Sequence, residues 1–137
     1  MAVDSREVAA IDHGLLVLVG IGRDDDASDT TYMANKIVGL RVFADAGHQF
    51  NRSVREVEGT VLLVSQFTLY GDCRRGRRPS FDGAVSPAEA RAVYDGLAEA
   101  LGALEVPVKL GEFQAHMTVE SANDGPVTIL LDSGKAF

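Results

Sequence analysis

Thr60-Val61-Leu62-Leu63-Val64-Ser65-Gln66-Phe67-Thr68-Leu69-Tyr70 begins as an unbroken apolar and β-branched run and ends among hydroxyls, an amide and aromatic rings. The first part predicts a core strand over residues 60–67, because a short apolar run of this composition fits a pleated, buried surface. Polar groups break in where the strand ends. Strand ends are rigid and accessible, so their hydroxyls and free backbone N–H groups can be aimed at a ligand. A plain strand terminus with hydrogen-bonded hydroxyls fits the same residues.

Upstream, residues 15–21 (Leu-Leu-Val-Leu-Val-Gly-Ile) read as a second buried strand, bounded by Gly14 and by Gly22-Arg23-Asp24-Asp25-Asp26. Asp26 or Ser28 can cap a helix that places Met33, Ile37 and Leu40 on one face. Arg41-Val42-Phe43 suggests a short strand, and residues 44–51, with Gly47 among them, suggest a turn or hairpin tip. Downstream, residues 71–83 are a long polar loop. Ser86-Pro87-Ala88-Glu89 combines an N-cap serine, proline at the first helical position and glutamate three residues after the cap. Val93, Leu97, Leu101 and Leu104 supply the stripe of a helix of about five turns. Three further strands are expected at residues 106–110, 117–120 and 127–131. The order predicts one α+β domain over residues 1–137, with a mostly antiparallel, curved or barrel-like sheet and two main flanking helices.

The formal net charge of −7 opposes general affinity for nucleic acid, since phosphate neutralisation by Lys and Arg drives such binding. Arg74, Arg75, Arg77 and Arg78 run against that balance, focusing positive charge on one loop; a solvated charge run is the other reading. No apolar run approaches the roughly 18 residues of a membrane helix. The amino terminus lacks a basic-then-apolar signal pattern, and the single Cys73 cannot form an internal disulfide, so a reducing cytoplasm is expected.

Several familiar chemistries fail on spacing. Gly20-Ile21-Gly22 follows a strand, but the third position of a dinucleotide loop is Asp25, and three successive acids would repel a pyrophosphate. His13, His48 and His116 have no metal-ligand spacing, and Asp24-Asp25-Asp26 lacks the alternation of a calcium loop, so neither metal nor cofactor is expected. Cys73 has arginines beside it but no local histidine to activate it. A second candidate site is Asn123-Asp124-Gly125-Pro126-Val127-Thr128, where Gly-Pro stands directly before a strand and a cis peptide is possible; a simple turn is the alternative.

Ser-Gln-Phe-Thr-Leu-Tyr and Asn-x-Gly-Pro-Val-Thr, separated by Arg-Arg-Gly-Arg-Arg-Pro-Ser-Phe, resemble the conserved blocks of the D-aminoacyl-tRNA deacylases. The resemblance takes in residues 14–20 and the helix around Lys36-Ile37, and so covers nearly the whole chain in order. It implies a homodimeric esterase without metal or cofactor that frees D-amino acids, and glycine, from tRNA. Ser65, Gln66, Phe67 and Thr68 would line the catalytic pocket, with a backbone N–H near Phe67 facing the ester oxygen. Gly125-Pro126 would enter the partner's pocket and reject L side chains by clash, while glycine has nothing to clash. Asn123 and Thr128 would hold that loop, Phe81 and Met117 would border the adenosine, and the arginines would approach acceptor-stem phosphates. Members of the family begin about one strand earlier, with an arginine that steadies the Gly-Pro loop. Arg6 is not its equivalent in register, so residues 1–137 are expected to lack that strand and to leave backbone groups unpaired at an edge. Three rival expectations remain: an RNA-binding module that no longer hydrolyses, a general esterase or amidase using Cys73 or Ser80, and a structural dimerisation domain.

Overall fold

The computed structural model describes Met1–Phe137, and its element order is strand-rich at both ends of the first helix. β1 (Ala2–Val3) and β2 (Arg6–Glu7) form a small antiparallel hairpin. Its two-residue loop, Asp4-Ser5, has positive φ at both positions, the backbone twist that matches two right-handed strands. Then come β3 (Gly14–Val19), α1 (Ala27–Gly39), β4 (Thr60–Ser65), a 3-10 turn (Phe67–Tyr70), α2 (Pro87–Ala103) and β5 (Val108–Leu110).

Both helices begin where their capping residues stand. The Asp26 carboxylate accepts from the Ser28 and Asp29 N–H groups, and the Asp29 carboxylate accepts from the Asp26 N–H, a closed capping box. Ser86 accepts from the Glu89 N–H, and Pro87 takes the first helical position, where a missing N–H costs nothing. Ile37 on α1 and Leu97 and Leu101 on α2 are buried as the spacing predicts, joined by Ala34, Val38 and Tyr94. Leu40 and Leu104 are the residues that close the two helices.

The sheet departs from expectation. β3, β4 and β5 are neighbours in that order, and both ladders are parallel: Gly14 faces Thr60, Val19 faces Ser65, and Leu63 faces Leu110. The α+β, two-helix reading holds, but a mostly antiparallel sheet does not, and the three strands do not close into a barrel. The reason is connectivity. β3 and β4 are each followed by a helical crossover, α1 and α2, and a crossover returns the chain to the same end of the sheet. α1 and α2 pack together on one face, over Leu15, Val17, Val19, Val61 and Leu63. Burying side chains such as Leu63 and Leu101 stabilises the fold by about 1.5–3 kcal/mol each.

Two expected strands form no ladder. Residues 117–120 make a single antiparallel bridge, Thr118 with Ala2, and residues 127–131 make none. Across residues 119–131 no backbone N–H or C=O bonds to another backbone group. After a turn at Phe113-Gln114, exposure alternates as along a strand, with Ala115, Met117 and Val119 half-buried and His116, Thr118 and Glu120 exposed. The alternation of a strand is present without a ladder. Arg41-Val42-Phe43 likewise shrinks to one bridge, Phe43 with Arg52, at the base of the expected hairpin tip. β4 stops at Ser65 rather than Phe67 because the chain turns there.

Candidate functional site

Parallel strands bring their carboxyl ends to one side of a sheet, and β4 is the central strand, so its end is the natural place for a site. The Gln66 N–H donates to the Val19 carbonyl at 2.8 Å, prolonging the ladder by one bond. The chain then tightens: Leu69 N–H donates to the Gln66 carbonyl at 3.2 Å and Gly71 N–H to the Thr68 carbonyl at 2.9 Å. In a turn of this kind the first N–H groups, those of Phe67 and Thr68, have no acceptor within the turn, and no side chain caps them. They stand on an exposed edge, with Phe67 58% accessible. The Gln66 side chain instead donates from Nε2 to the Thr68 Oγ1 at 3.0 Å. No carboxylate, imidazole or amine reaches that hydroxyl. Ser65 lies half-buried beneath, and the Phe67 ring meets Phe81 edge-on, centroids 5.1 Å apart.

The arginine loop adjoins this turn. Asp72 and Ser80 exchange both backbone hydrogen bonds, at 2.7 and 2.9 Å, closing residues 73–79 into an exposed finger. Gly76, with φ of 64°, bends its tip. The Asp72 carboxylate takes Arg74 in a fork, from Nε at 2.9 Å and Nη2 at 2.6 Å, and also accepts the Arg74 N–H at 3.0 Å. The Arg74 hydrogen bonds hold the Asp72 carboxyl at about 2, well below its ordinary value. Arg74 is therefore neutralised as a brace. Arg75, Arg77 and Arg78 make no ion pair and extend exposed beside the Phe67–Phe81 pair's loop.

The second candidate segment is a clamped loop. Asn123 donates from Nδ2 to the Thr128 hydroxyl at 3.0 Å and accepts the Val127 N–H at 2.9 Å, spanning Gly125-Pro126. That peptide bond is cis, and Gly125 has a φ of 141°, a conformation L side chains rarely adopt. Residues 123–126 are all exposed, and no hydrogen bond joins them to residues 65–68 of the same chain. Met117 also sits elsewhere: its sulfur and that of Met1 close around Gly111 at the end of β5, whereas Phe81 is the residue in contact with Phe67.

The structure thus brings Ser65, Gln66, Phe67, Thr68, Phe81 and the arginine loop into one region. It holds Asn123, Gly125, Pro126 and Thr128 together in another. Reading the sequence missed the 3-10 turn, the Gln66 to Thr68 bond and the bracing of Arg74. The second and third had a signal, since polar partners two residues apart, as in Gln66-Phe67-Thr68 and Asp72-Cys73-Arg74, meet when the chain turns.

Comparison with known proteins adds a further layer. Residues 1–132 match the protein family described as D-Tyr-tRNA(Tyr) deacylase. A D-aminoacyl-tRNA deacylase of Thermotoga petrophila is 52% identical over 135 residues, 98% of this chain and 91% of that protein. One from Desulforudis audaxviator is 52% identical over 137 residues, 100% of this chain and 92% of its own. Among solved structures, one described as c-Myc DNA Unwinding Element Binding Protein superposes with a TM-score of 0.89 at 37% identity, covering 96% of this chain and 89% of that one. A probable eukaryotic D-amino acid tRNA deacylase gives a TM-score of 0.59 at 20% identity, covering 68% and 55%, and shares the fold alone.

Proposed function

The chain belongs to the D-Tyr-tRNA(Tyr) deacylase family, and from that premise we propose how its turn at the end of β4 cleaves the ester between a D-amino acid and the terminal ribose of tRNA. The protein is a hydrolase acting on ester bonds, a D-aminoacyl-tRNA deacylase. The observation that carries the mechanism is the pair of uncapped N–H groups of Phe67 and Thr68 beside a threonine whose oxygen already accepts from Gln66. Two converging backbone donors suit the oxyanion that develops when an ester carbonyl is attacked. Thr68 has no base to take its proton, and a threonine nucleophile at neutral pH needs one. Water is the nucleophile. Its oxygen bonds to the ester carbon, the carbonyl electrons move onto the oxygen facing the two N–H groups, and collapse breaks the bond to the ribose oxygen. The attacking water passes one proton through the neighbouring ribose hydroxyl to that oxygen, and the freed acid loses water's second proton to solvent and leaves as its carboxylate. The protein supplies position and electrostatics.

Selectivity belongs to the Asn123–Thr128 clamp in a homodimer, with Gly125-Pro126 of one protomer facing the pocket of its partner. Three features support this reading. The loop is exposed and unattached to its own turn, residues 119–131 make no backbone-to-backbone hydrogen bond, and Leu16, Leu18, Ile129 and Leu130 leave apolar surface uncovered, Leu130 at 71%. A backbone wall rejects an L side chain and passes glycine, so glycyl-tRNA is a second substrate. Phe81 and Met117 border the adenosine across the assembled site, and Arg75, Arg77 and Arg78 meet acceptor-stem phosphates in the cytoplasm.

The test is hydrolysis of D-Tyr-tRNA, L-Tyr-tRNA and Gly-tRNA by the wild-type protein and by Thr68→Ala. The expected result is turnover of the D- and glycyl esters only, with Thr68→Ala slowed about 10- to 100-fold but active. Complete loss in a folded Thr68→Ala protein would favour a covalent threonine. Tight tRNA binding without turnover of any ester would make the protein a binding module.

A further inference from the structure

The Phe67–Tyr70 turn ends in a ring held by three glycines. A Cβ placed at Gly20 would lie 3.1 Å from Cδ2 and Cε2 of Tyr70, and one at Gly83 would lie 3.1 Å from Cδ1, the opposite edge of the same ring. A Cβ at Gly22 would lie 2.4 Å from the Tyr70 hydroxyl and 3.0 Å from Cζ. Both edges are therefore bracketed at distances tighter than ordinary side-chain contact, and the tip at one that a side chain could take only if the ring moved. None of the three glycines has the positive φ that would by itself call for glycine. What they share is the ring.

The slot is a stiff frame. Gly20 and Gly22 continue directly from β3, while Gly83 belongs to the segment leading into α2. The two are joined by the Gly22–Ala84 bridge and by Val85 N–H donating to the Ile21 carbonyl at 3.2 Å. Burial raises the Tyr70 hydroxyl above its ordinary value, and the carboxylates of Asp25, Asp132 and Asp29 add to it, so the seated ring is neutral. At the other end of the same four-residue turn are the uncapped N–H groups of Phe67 and Thr68. A four-residue turn closed by backbone hydrogen bonds of 3.2 and 2.9 Å moves as a unit, and a misplacement of about 1 Å at a reacting centre costs about 100-fold in rate.

We infer that Tyr70 is a positioning residue: the slot formed by Gly20, Gly22 and Gly83 fixes its ring, and the ring fixes the direction in which the Phe67 and Thr68 N–H groups point. This rests on the reading of that turn as the site of ester hydrolysis. It adds that Gly20, Gly22 and Gly83, carried by the end of β3 and the segment before α2, set the geometry of the reaction. The aromatic ring does the positioning, and the hydroxyl only lengthens it.

The test uses a clash and its relief. Gly22→Ala places a methyl against the Tyr70 hydroxyl, and adding Tyr70→Phe removes that oxygen, leaving Cζ at a distance that a shift of a few tenths of an ångström accommodates. For D-Tyr-tRNA hydrolysis, Gly22→Ala should lower kcat about tenfold or more with KM changed less than about twofold. The double variant should recover most of that loss, and Gly96→Ala, at an α2 position with open space around it, should change nothing. Amide exchange is read in parallel. Gly22→Ala should speed exchange at Leu69 and Gly71 but leave Leu62 and Leu63 on β4 protected, and the double variant should reverse this.

A loss shared by kcat and KM that Tyr70→Phe does not relieve, or unchanged kinetics in Gly22→Ala, overturns the inference. Should Gly22→Ala fail to fold, Tyr70→Leu against Tyr70→Phe decides, with loss of kcat expected only in the first. A wild-type protein that leaves D-Tyr-tRNA intact sinks the hydrolysis reading instead. The exchange pattern at Leu69 and Gly71 then still reports whether the slot controls the turn.

Discussion

Asp25 illustrates how a single group can carry stability with an unfamiliar sign. Burial raises its carboxyl above the ordinary value, the Gly22 N–H partly offsets this, and Asp29, Asp132 and Asp24 push it further up. A raised folded pKa means that this group's contribution is full below the unfolded value of 3.8 and is lost as pH rises through the folded one. Asp25→Asn keeps an oxygen for Gly22 and removes the charge. It should raise Tm at pH 7 and lose that advantage near pH 3, as thermal melts at the two pH values would show. Asp72 has the opposite sign: depressed to about 2, its contribution is present above 3.8 and disappears as pH falls through about 2. Arg74→Ala should raise the Asp72 titration, followed by NMR, part of the way to the usual carboxylate range, since the N–H of residue 74 still donates to it. An Asp72 carboxyl that stays near 2 in that variant would remove Arg74 from its role as brace. Ser86, and Asp26 as one of two candidates, were legible as caps because capping is decided within four residues, whereas the environment of Tyr70 is built from Gly20, Gly22, Gly83 and Asp132, far away in sequence, and Asp132 also reaches Asp25.

Among elements, α2 shows how local and distant information combine. Its start was written in Ser86-Pro87-Ala88-Glu89, but the burial of Tyr94 was not, since that depends on the Leu63 carbonyl, to which its hydroxyl donates at 2.6 Å. The same carbonyl accepts the Gly111 N–H at 3.1 Å, so Tyr94→Phe leaves it satisfied and should cost only about 1 kcal/mol in urea unfolding. Leu101→Ala, which empties a fully buried position, should cost about 2–5 kcal/mol. A reversal of that order would mean that the hydrogen bond, not the packing, holds α2 to the sheet. The Phe67–Tyr70 turn lay outside local reasoning for a related cause. Its residues suit a strand as well as a turn, and the Tyr70 slot, assembled from β3 and the segment before α2, is what the chain turns to reach.

For the whole molecule, the helix count and the α+β class could be read from periodicity, while strand direction could not, because hydrophobic pattern reports burial and not which neighbour a strand pairs with. The same gap explains residues 127–131, whose pattern is that of a strand and whose backbone bonds to no other backbone group. If a second copy covers this region, Leu130→Lys should shift the protein toward monomer in sedimentation velocity and reduce D-Tyr-tRNA hydrolysis with it. Full activity in a monomeric variant would rule out a partner's loop in the pocket. Replacing Arg77 and Arg78 together with alanine should weaken tRNA binding and flatten its dependence on salt, by about two units in the slope if both meet phosphates.

The parallel register has a consequence in time. Gly14 is paired with Thr60, and β4 gains its second neighbour only at Val108, so no rung of the central ladder can form until a long stretch of chain has been brought around. Closing such loops precedes any reward from pairing, which makes folding slow relative to a hairpin-built protein of this length. During synthesis, a chain halted before Val108 would carry the residues of the β4 turn, yet its central strand would still be open along one side. Catalytic competence should therefore arrive late and all at once as the chain is completed, and not grow with its length.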